Sequence, residues 1–148
     1  MIRNTSTATN DVFIELLGYK KESVNVLIVG NNPIDMAEIY SELSEIKGKN
    51  YIVDVCFDVR DCFARIVKTH PEVVLIDDNM DYISTKKLID QVKSSAKTKH
   101  IPLVFLKSSN WNFSVMDKVD DYILKSAMNT ISLDRTISGI VHKKQQLV

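Results

Sequence analysis

The chain has 148 residues, of which 45% are hydrophobic and 26% charged, and this suits one globular domain with a substantial core and a short extension. Nineteen basic side chains balance nineteen acidic ones without a basic run, so nothing in the sequence favours nucleic-acid binding. No stretch has the roughly 18 consecutive apolar residues of a membrane span, and the start lacks the apolar core of a signal peptide. We therefore expect a cytoplasmic protein that binds neither nucleic acid nor membrane.

Residues 1–23 form a predicted N-terminal extension, and residues 24–148 a predicted globular domain. Within the extension, Asn10 can cap a short amphipathic helix that ends at Gly18. A helix of this length is not stable alone, so we expect it to pack on the domain or on a partner.

From residue 24 onward, strand patterns alternate with helical ones. Val24–Val29 is an apolar run interrupted only by Asn25, as in a strand buried on both faces. Asn32–Pro33 is typical of the N-cap and first residue of a helix. Five strands that alternate with helices predict a doubly wound α/β fold with one parallel sheet. The other predicted strands are Tyr51–Phe57, Val73–Ile76, Leu103–Leu106 and Tyr122–Leu124, and the other helices begin after Asp58, at Ser84 or Thr85, and near Ser132.

Polar residues follow the carboxyl ends of four predicted strands. They are Gly30–Asn31–Asn32, Asp77–Asp78–Asn79, Lys107–Ser108 and Lys125–Ser126. In an open parallel sheet these ends lie along one edge, where ligands bind. The sequence therefore predicts that a carboxylate and two lysines converge at this edge.

Four runs resemble, in order and spacing, the receiver domains of bacterial two-component response regulators. The resemblance covers roughly residues 25–143, and it implies a five-stranded flavodoxin-like receiver fold with strand order 2-1-3-4-5. In that family an aspartate after the third strand accepts a phosphoryl group from a histidine kinase, and the resemblance places Asp77 there. Lys125 matches the family's lysine after the fifth strand. The four runs are VLIVGNNP at Val26–Pro33, PEVVLIDDNM at Pro71–Met80, IPLVFLKS at Ile101–Ser108 and DDYILKS at Asp120–Ser126.

Other pocket positions depart from the family pattern. Two acidic residues after the first strand normally help to bind Mg²⁺, and Gly30 and Asn31 stand in their places. The family's Ser or Thr at the end of the fourth strand is replaced by Lys107, with Ser108 next. Which of these two side chains faces the pocket stays open. The resemblance therefore implies a degenerate acidic pocket, as in a pseudo-receiver.

The matched charges suggest a substitute for the metal ion. Asp77, Lys107 and Lys125 together carry a formal charge of +1, so we expect a lysine ammonium to pair with Asp77 and a dication to be repelled. Mg²⁺ also usually needs one or two carboxylates. We predict no cofactor, or Mg²⁺ bound weakly through Asp77 and Asn79, with Asp78 or Asp81 as partial substitutes for the missing ligands.

These features favour a stand-alone signalling module that is not an enzyme. We expect it to act by protein–protein interaction with a histidine kinase or a downstream effector, with weak or no Mg²⁺-dependent phosphorylation. Aromatic residues are enriched in interface cores, so Trp111, Phe113 and Tyr122 are interface candidates, and a homodimer is one alternative. Two other functions stay open. One is a working phosphorelay receiver phosphorylated on Asp77, and the other is a nucleotide- or flavin-binding domain, for which Val29–Pro33 has too few glycines.

Overall fold

The computed structural model describes residues 22–108 and 118–146. Five parallel strands form one sheet in the order β2-β1-β3-β4-β5, which confirms the predicted doubly wound α/β fold and its strand order. The strands are β1 (Glu22–Val29), β2 (Lys49–Cys56), β3 (Val73–Asp77), β4 (Leu103–Lys107) and β5 (Asp121–Leu124). The helices described are α1 (Pro33–Ser44), α2 (Val59–Thr69), α3 (Tyr82–Ser94) and α4 (Thr130–Gln146), and a 3-10 turn spans Lys125–Ala127. Within these two ranges no helix combines the length and the apolar character needed to cross a membrane.

Some predictions fall where the structure gives no description. The short helix after Asn10 and the interface candidates Trp111 and Phe113 lie outside the described residues. Elsewhere the strand ends agree with the predicted ends to within two residues, and α4 begins at Thr130 instead of near Ser132.

Two helices begin at the side-chain caps that the sequence predicts. The side-chain oxygen of Asn32 accepts hydrogen bonds from the backbone N–H groups of Ile34 and Asp35, at 2.9 and 3.2 Å. At the start of α2, Asp58 accepts from the backbone N–H of Arg60 at 3.0 Å. These bonds satisfy donors that the first turn of a helix leaves open.

Helix α3 begins earlier than the sequence predicts. The expected start was Ser84 or Thr85, but the N-cap is Asp81, whose carboxylate accepts from the backbone N–H of Ser84 at 2.8 Å. This backbone hydrogen bond holds the pKa of Asp81 below its usual value. Asp81 therefore caps α3, a role that the prediction from sequence does not give it.

The centre of the sheet is buried on both faces. All five residues of β3 and the first four of β4 are buried. One face packs against α1 and α4, and the other packs against α2 and α3. Each fully buried aliphatic side chain stabilises such a core by about 1.5–3 kcal/mol. Because Asp77 is the last residue of β3, the fold carries its carboxylate into the interior at the carboxyl edge of the sheet.

Strand β2 forms one edge of the sheet. The backbone N–H of Gly30 donates to the carbonyl oxygen of Cys56 at 3.2 Å, so the polar groups of Val55, one residue earlier, point away from β1. The side chain of Asp54 accepts a hydrogen bond from the backbone N–H of Val55 at 2.9 Å. The side chain of Arg65, on α2, donates to the carbonyl oxygen of Val55 at 2.7 Å. Side chains therefore pair with both outward backbone groups of Val55.

Asp134 joins α4 to β2. Its Oδ1 accepts hydrogen bonds from the Tyr51 hydroxyl at 2.7 Å, the Ser138 hydroxyl at 3.1 Å and the Lys49 ammonium at 3.3 Å. Burial favours the neutral form of Asp134, but these donors outweigh it and hold the pKa of Asp134 below the ordinary 3.8. The ionised form therefore stabilises the fold at neutral pH. This contribution is lost as the pH falls below about 4.

Asp134→Asn is expected to lower the free energy of unfolding by about 1 kcal/mol near neutral pH, because the site is partly exposed and loses charge-assisted hydrogen bonds. The difference from wild type should shrink as the pH falls from about 4 toward 2, since the wild-type carboxylate is then protonated. Urea unfolding across this range measures both effects. Tyr51→Phe removes one of the three donors and should show a smaller loss. A difference between wild type and Asp134→Asn that stays constant into acid would contradict this assignment.

Candidate functional site

The site is built around Asp77, whose side chain is fully buried at the end of β3. Its Oδ1 accepts a hydrogen bond from the backbone N–H of Asn79 at 2.9 Å and lies 2.5 Å from Nζ of Lys125. Lys125 begins the 3-10 turn that follows β5, and its side chain is 23% exposed. The ion pair that the sequence predicts for Asp77 is therefore formed by Lys125.

Asp78 is a second buried carboxylate beside Asp77. Its Oδ2 accepts from the backbone N–H of Ser108 at 2.7 Å, and its Oδ1 accepts from the Ser108 hydroxyl, also at 2.7 Å. Nζ of Lys125 lies 3.6 Å from Oδ1 of Asp78. Of Lys107 and Ser108, the two candidates at the end of β4, Ser108 is therefore the one that bonds Asp78 beside Asp77.

Lys107 lies outside this cluster. Its ammonium group lies 4.8 Å from the centroid of the Tyr122 ring on the neighbouring strand, and the ring is half exposed. Because side chains alternate between the two faces of a strand, Lys107 and Ser108 leave the sheet in different directions. A cation over an aromatic face is attracted by the ring quadrupole. Lys107 is thus engaged with the interface candidate Tyr122, away from Asp77.

The formal charge of the cluster differs from the prediction. With Asp78 inside and Lys107 outside, two carboxylates and one ammonium give −1 instead of +1. The predicted repulsion of a dication by net positive charge is therefore wrong. If a metal ion binds weakly at this cluster, the reason must be a shortage of ligands or a lack of space.

Oxygen ligands are scarce at this site. Within the described part of the chain, Oδ2 of Asp77 is buried without a hydrogen-bond partner, whereas both oxygens of Asp78 accept bonds from Ser108. The side chains of Asn31 and Asn79 are exposed. No group of three or more His, Cys, Asp or Glu residues in residues 22–108 and 118–146 is arranged to hold a metal ion. Mg²⁺ keeps several waters and is usually bound through one or two carboxylates, so Asp77 and Asp78 are the acidic ligands that this cluster could offer it.

Met36 fills the space beside Gly30. A Cβ atom added to Gly30 would lie 2.6 Å from Cε and 2.7 Å from Sδ of Met36, and 3.2 Å from Cβ of Asp77. Met36 itself is 1% exposed, in the core between the sheet and α1. The helical spacing of the sequence predicts that Met36 is buried. It gives no sign that the thioether lies next to the pocket.

Exposed apolar side chains occur around the same edge of the sheet. Each follows the carboxyl end of a strand, either in the loop or in the first turn of the next helix, and each is more than half exposed. Scattered apolar residues are normal on a surface, so what sets these four apart is only their shared position around one edge of the sheet. We call this group the apolar rim; it consists of Ile34, Phe57, Ile83 and Ile131.

Solved structures of response regulators are similar to this chain. A response regulator from Desulfuromonas acetoxidans is 24% identical, with a TM-score of 0.68 over 80% of this chain and 97% of its own. The receiver domain of a sensor histidine kinase from Pseudomonas aeruginosa PAO1, which has a magnesium ion in its active-site cleft, is 16% identical, with a TM-score of 0.66 over 81% and 98%. The phosphorylated cyanobacterial phytochrome response regulator RcpA is 22% identical, with a TM-score of 0.63 over 85% and 96%.

No protein-family model matches the chain, and comparison with curated proteins gives no match. The similarity to solved structures nevertheless covers 96–98% of each of these three chains. The strand order of the sheet agrees with it. The chain therefore has the fold of a response-regulator receiver domain.

Proposed function

We propose that this chain is a cytoplasmic receiver-like domain of a two-component signalling system, which binds a partner protein without Mg²⁺-dependent phosphorylation of Asp77. The observation that carries this proposal is that Gly30 and Asn31 stand where two acidic residues are expected, so that the cation beside the buried Asp77 is the ammonium of Lys125, 2.5 Å away. The receiver fold supports the signalling class. Catalysis is not part of the proposed role.

The supply of ligands supports weak or no binding of Mg²⁺. The Pseudomonas aeruginosa domain holds magnesium in its cleft, whereas here Gly30 and Asn31 occupy the positions of the expected acidic pair. Losing one carboxylate 4 Å from a dication forfeits about 8 kcal/mol of bare Coulomb energy at an effective dielectric of about 20. Water replaces the lost ligand, so the net loss is far smaller, but two such losses weaken the site further.

The apolar rim supports a protein partner. Ile34, Phe57 and Ile83 follow the ends of β1, β2 and β3, three consecutive strands of the sheet, the last of which carries Asp77. A partner that covers this edge would bury apolar surface and remain close to the charged cluster. We propose that the partner is another signalling protein, either a histidine kinase or a downstream effector.

A working phosphorelay receiver is the second candidate function. The observation that favours it is Oδ2 of Asp77, a buried carboxylate oxygen without a hydrogen-bond partner among the described residues. RcpA was solved in a phosphorylated state, so a domain of this fold can carry the modification. In this second role, phosphorylation of Asp77 would add charge and reset the surrounding contacts.

Incubation with a small phosphodonor and Mg²⁺, followed by intact-mass measurement, separates the two candidates. We expect no mass gain for the wild-type chain, because the cluster lacks the ligands that would hold the metal ion. RcpA, which was solved in a phosphorylated state, serves as the positive control, and Asp77→Asn as the matched negative one. A gain of one phosphoryl group in wild type that disappears in Asp77→Asn would establish the phosphorelay receiver instead.

A further inference from the structure

We propose that Met36 closes the pocket to divalent cations, because its thioether occupies the volume in which a ligand from position 30 would have to lie. The inference rests on the proposed function, in which the pocket holds no Mg²⁺. It adds a physical obstacle to the missing carboxylates. Met36 is thus a residue that determines which ions the pocket accepts.

The backbone fixes the direction in which a side chain at position 30 would point. Gly30 is buried, and its N–H donates to the carbonyl oxygen of Cys56, which holds position 30 in line with the sheet. A Cβ at this position would lie 3.2 Å from Cβ of Asp77 and less than 3 Å from two atoms of Met36. A side chain at position 30 would therefore enter the space between Met36 and Asp77. A carboxylate there would have to lie in this space to bind the same cation as Asp77.

The backbone of Met36 is held in place, and its side chain is buried. It is 1% exposed, and its backbone N–H donates to the carbonyl oxygen of Asn32 at 3.1 Å, in the first turn of α1. The side-chain cap at Asn32 holds this turn in place. Only the flexible end of the methionine side chain meets position 30, and in a close-packed interior moving that end displaces its buried neighbours.

Two changes are therefore required to open the site. Acidic residues at positions 30 and 31 would add ligands but meet the Met36 thioether, and removing the thioether alone would add space without ligands. The two changes should act together far more strongly than their separate effects suggest. If missing carboxylates were the whole obstacle, restoring them alone would be enough.

Calorimetric titration with MgCl₂ tests this on four full-length proteins: wild type, Met36→Ala, Gly30→Asp/Asn31→Asp, and the triple variant. We expect no measurable binding by wild type or Met36→Ala, and binding by the triple variant at least about tenfold tighter than by the double variant. Equal affinity of the double and triple variants overturns the role of Met36, as does a folded triple variant that does not bind. Submillimolar binding by wild type would instead overturn the proposed function.

A stability cycle tests the same contact if the acidic variants fail to fold. The backbone of Gly30 is not in the left-handed region, so Gly30→Ala adds a methyl group without backbone strain. We expect Gly30→Ala to lower the urea midpoint in wild type and to lower it much less in the Met36→Ala background, where the methyl group has space. An equal fall in both backgrounds would show that Met36 does not occupy the volume beside position 30.

Discussion

Lys125→Ala is expected to lower the free energy of unfolding by about 3 kcal/mol, because it leaves the carboxylate of Asp77 buried without its cation. Removing one partner of a buried ion pair typically costs about 3–5 kcal/mol. The side chain of Lys125 is 23% exposed, so water at its ammonium group moderates the loss toward the lower end. Urea unfolding at neutral pH measures the change.

Lys107→Ala is the matched control for this prediction. Lys107 is also a lysine at the carboxyl end of a strand, but its ammonium lies over the half-exposed ring of Tyr122. We expect a loss of about 0.5–1 kcal/mol, the usual contribution of an exposed cation–π contact. Replacing the whole pair, as in Asp77→Leu/Lys125→Met, should cost less than Lys125→Ala alone. Similar losses for Lys125→Ala and Lys107→Ala would contradict the assignment of the ion pair.

Asp78→Ala is expected to lower the free energy of unfolding by about 2 kcal/mol. Hydrogen bonds to a charged acceptor contribute about 1.5–3 kcal/mol, and the exposed Ser108 can recover part of this loss by binding water. Urea unfolding measures the total. Hydrogen exchange at the backbone amide of Ser108 measures the local part, because that N–H donates to Oδ2 of Asp78 and should lose its protection.

Ser108→Ala separates the two hydrogen bonds that Asp78 accepts. It removes the hydroxyl donor but keeps the backbone N–H, so about half of the loss seen in Asp78→Ala is expected. The amide of residue 108 should stay protected in this variant. If that amide exchanged as fast in Ser108→Ala as in Asp78→Ala, the carboxylate would not be what holds the end of β4.

Most of the fold could be predicted because its signals are local or repeated along the chain. The continuous apolar run of β1 indicates a strand covered on both faces, and the caps Asn32 and Asp58 follow from hydrogen bonds within a few residues. The start of α3 was missed for a local reason too. The family resemblance offers Asp81 as a substitute metal ligand, whereas its position three residues before Ser84 is also that of an N-cap.

The site could be predicted only in part, because its contacts join distant segments. The position of Asp77 in the site could be predicted, because it lies at the end of β3. Which lysine reaches it depends on the direction of side chains at the end of β4 and on the turn after β5, and neither is encoded in a nearby pattern. Helical spacing shows that Met36 is buried but not that it touches position 30, since that contact depends on how α1 lies over the sheet.

The side chains around Val55 also bear on the association of this protein with other copies of itself through the edge of the sheet. A long edge strand such as β2 is a template on which another chain can add a strand, and such growth leads toward aggregates. Asp54 and Arg65 already bond the outward N–H and carbonyl of Val55, so an incoming strand would have to displace both side chains there. Continuous pairing of an added strand with β2 is thus blocked at Val55, near the carboxyl end of β2.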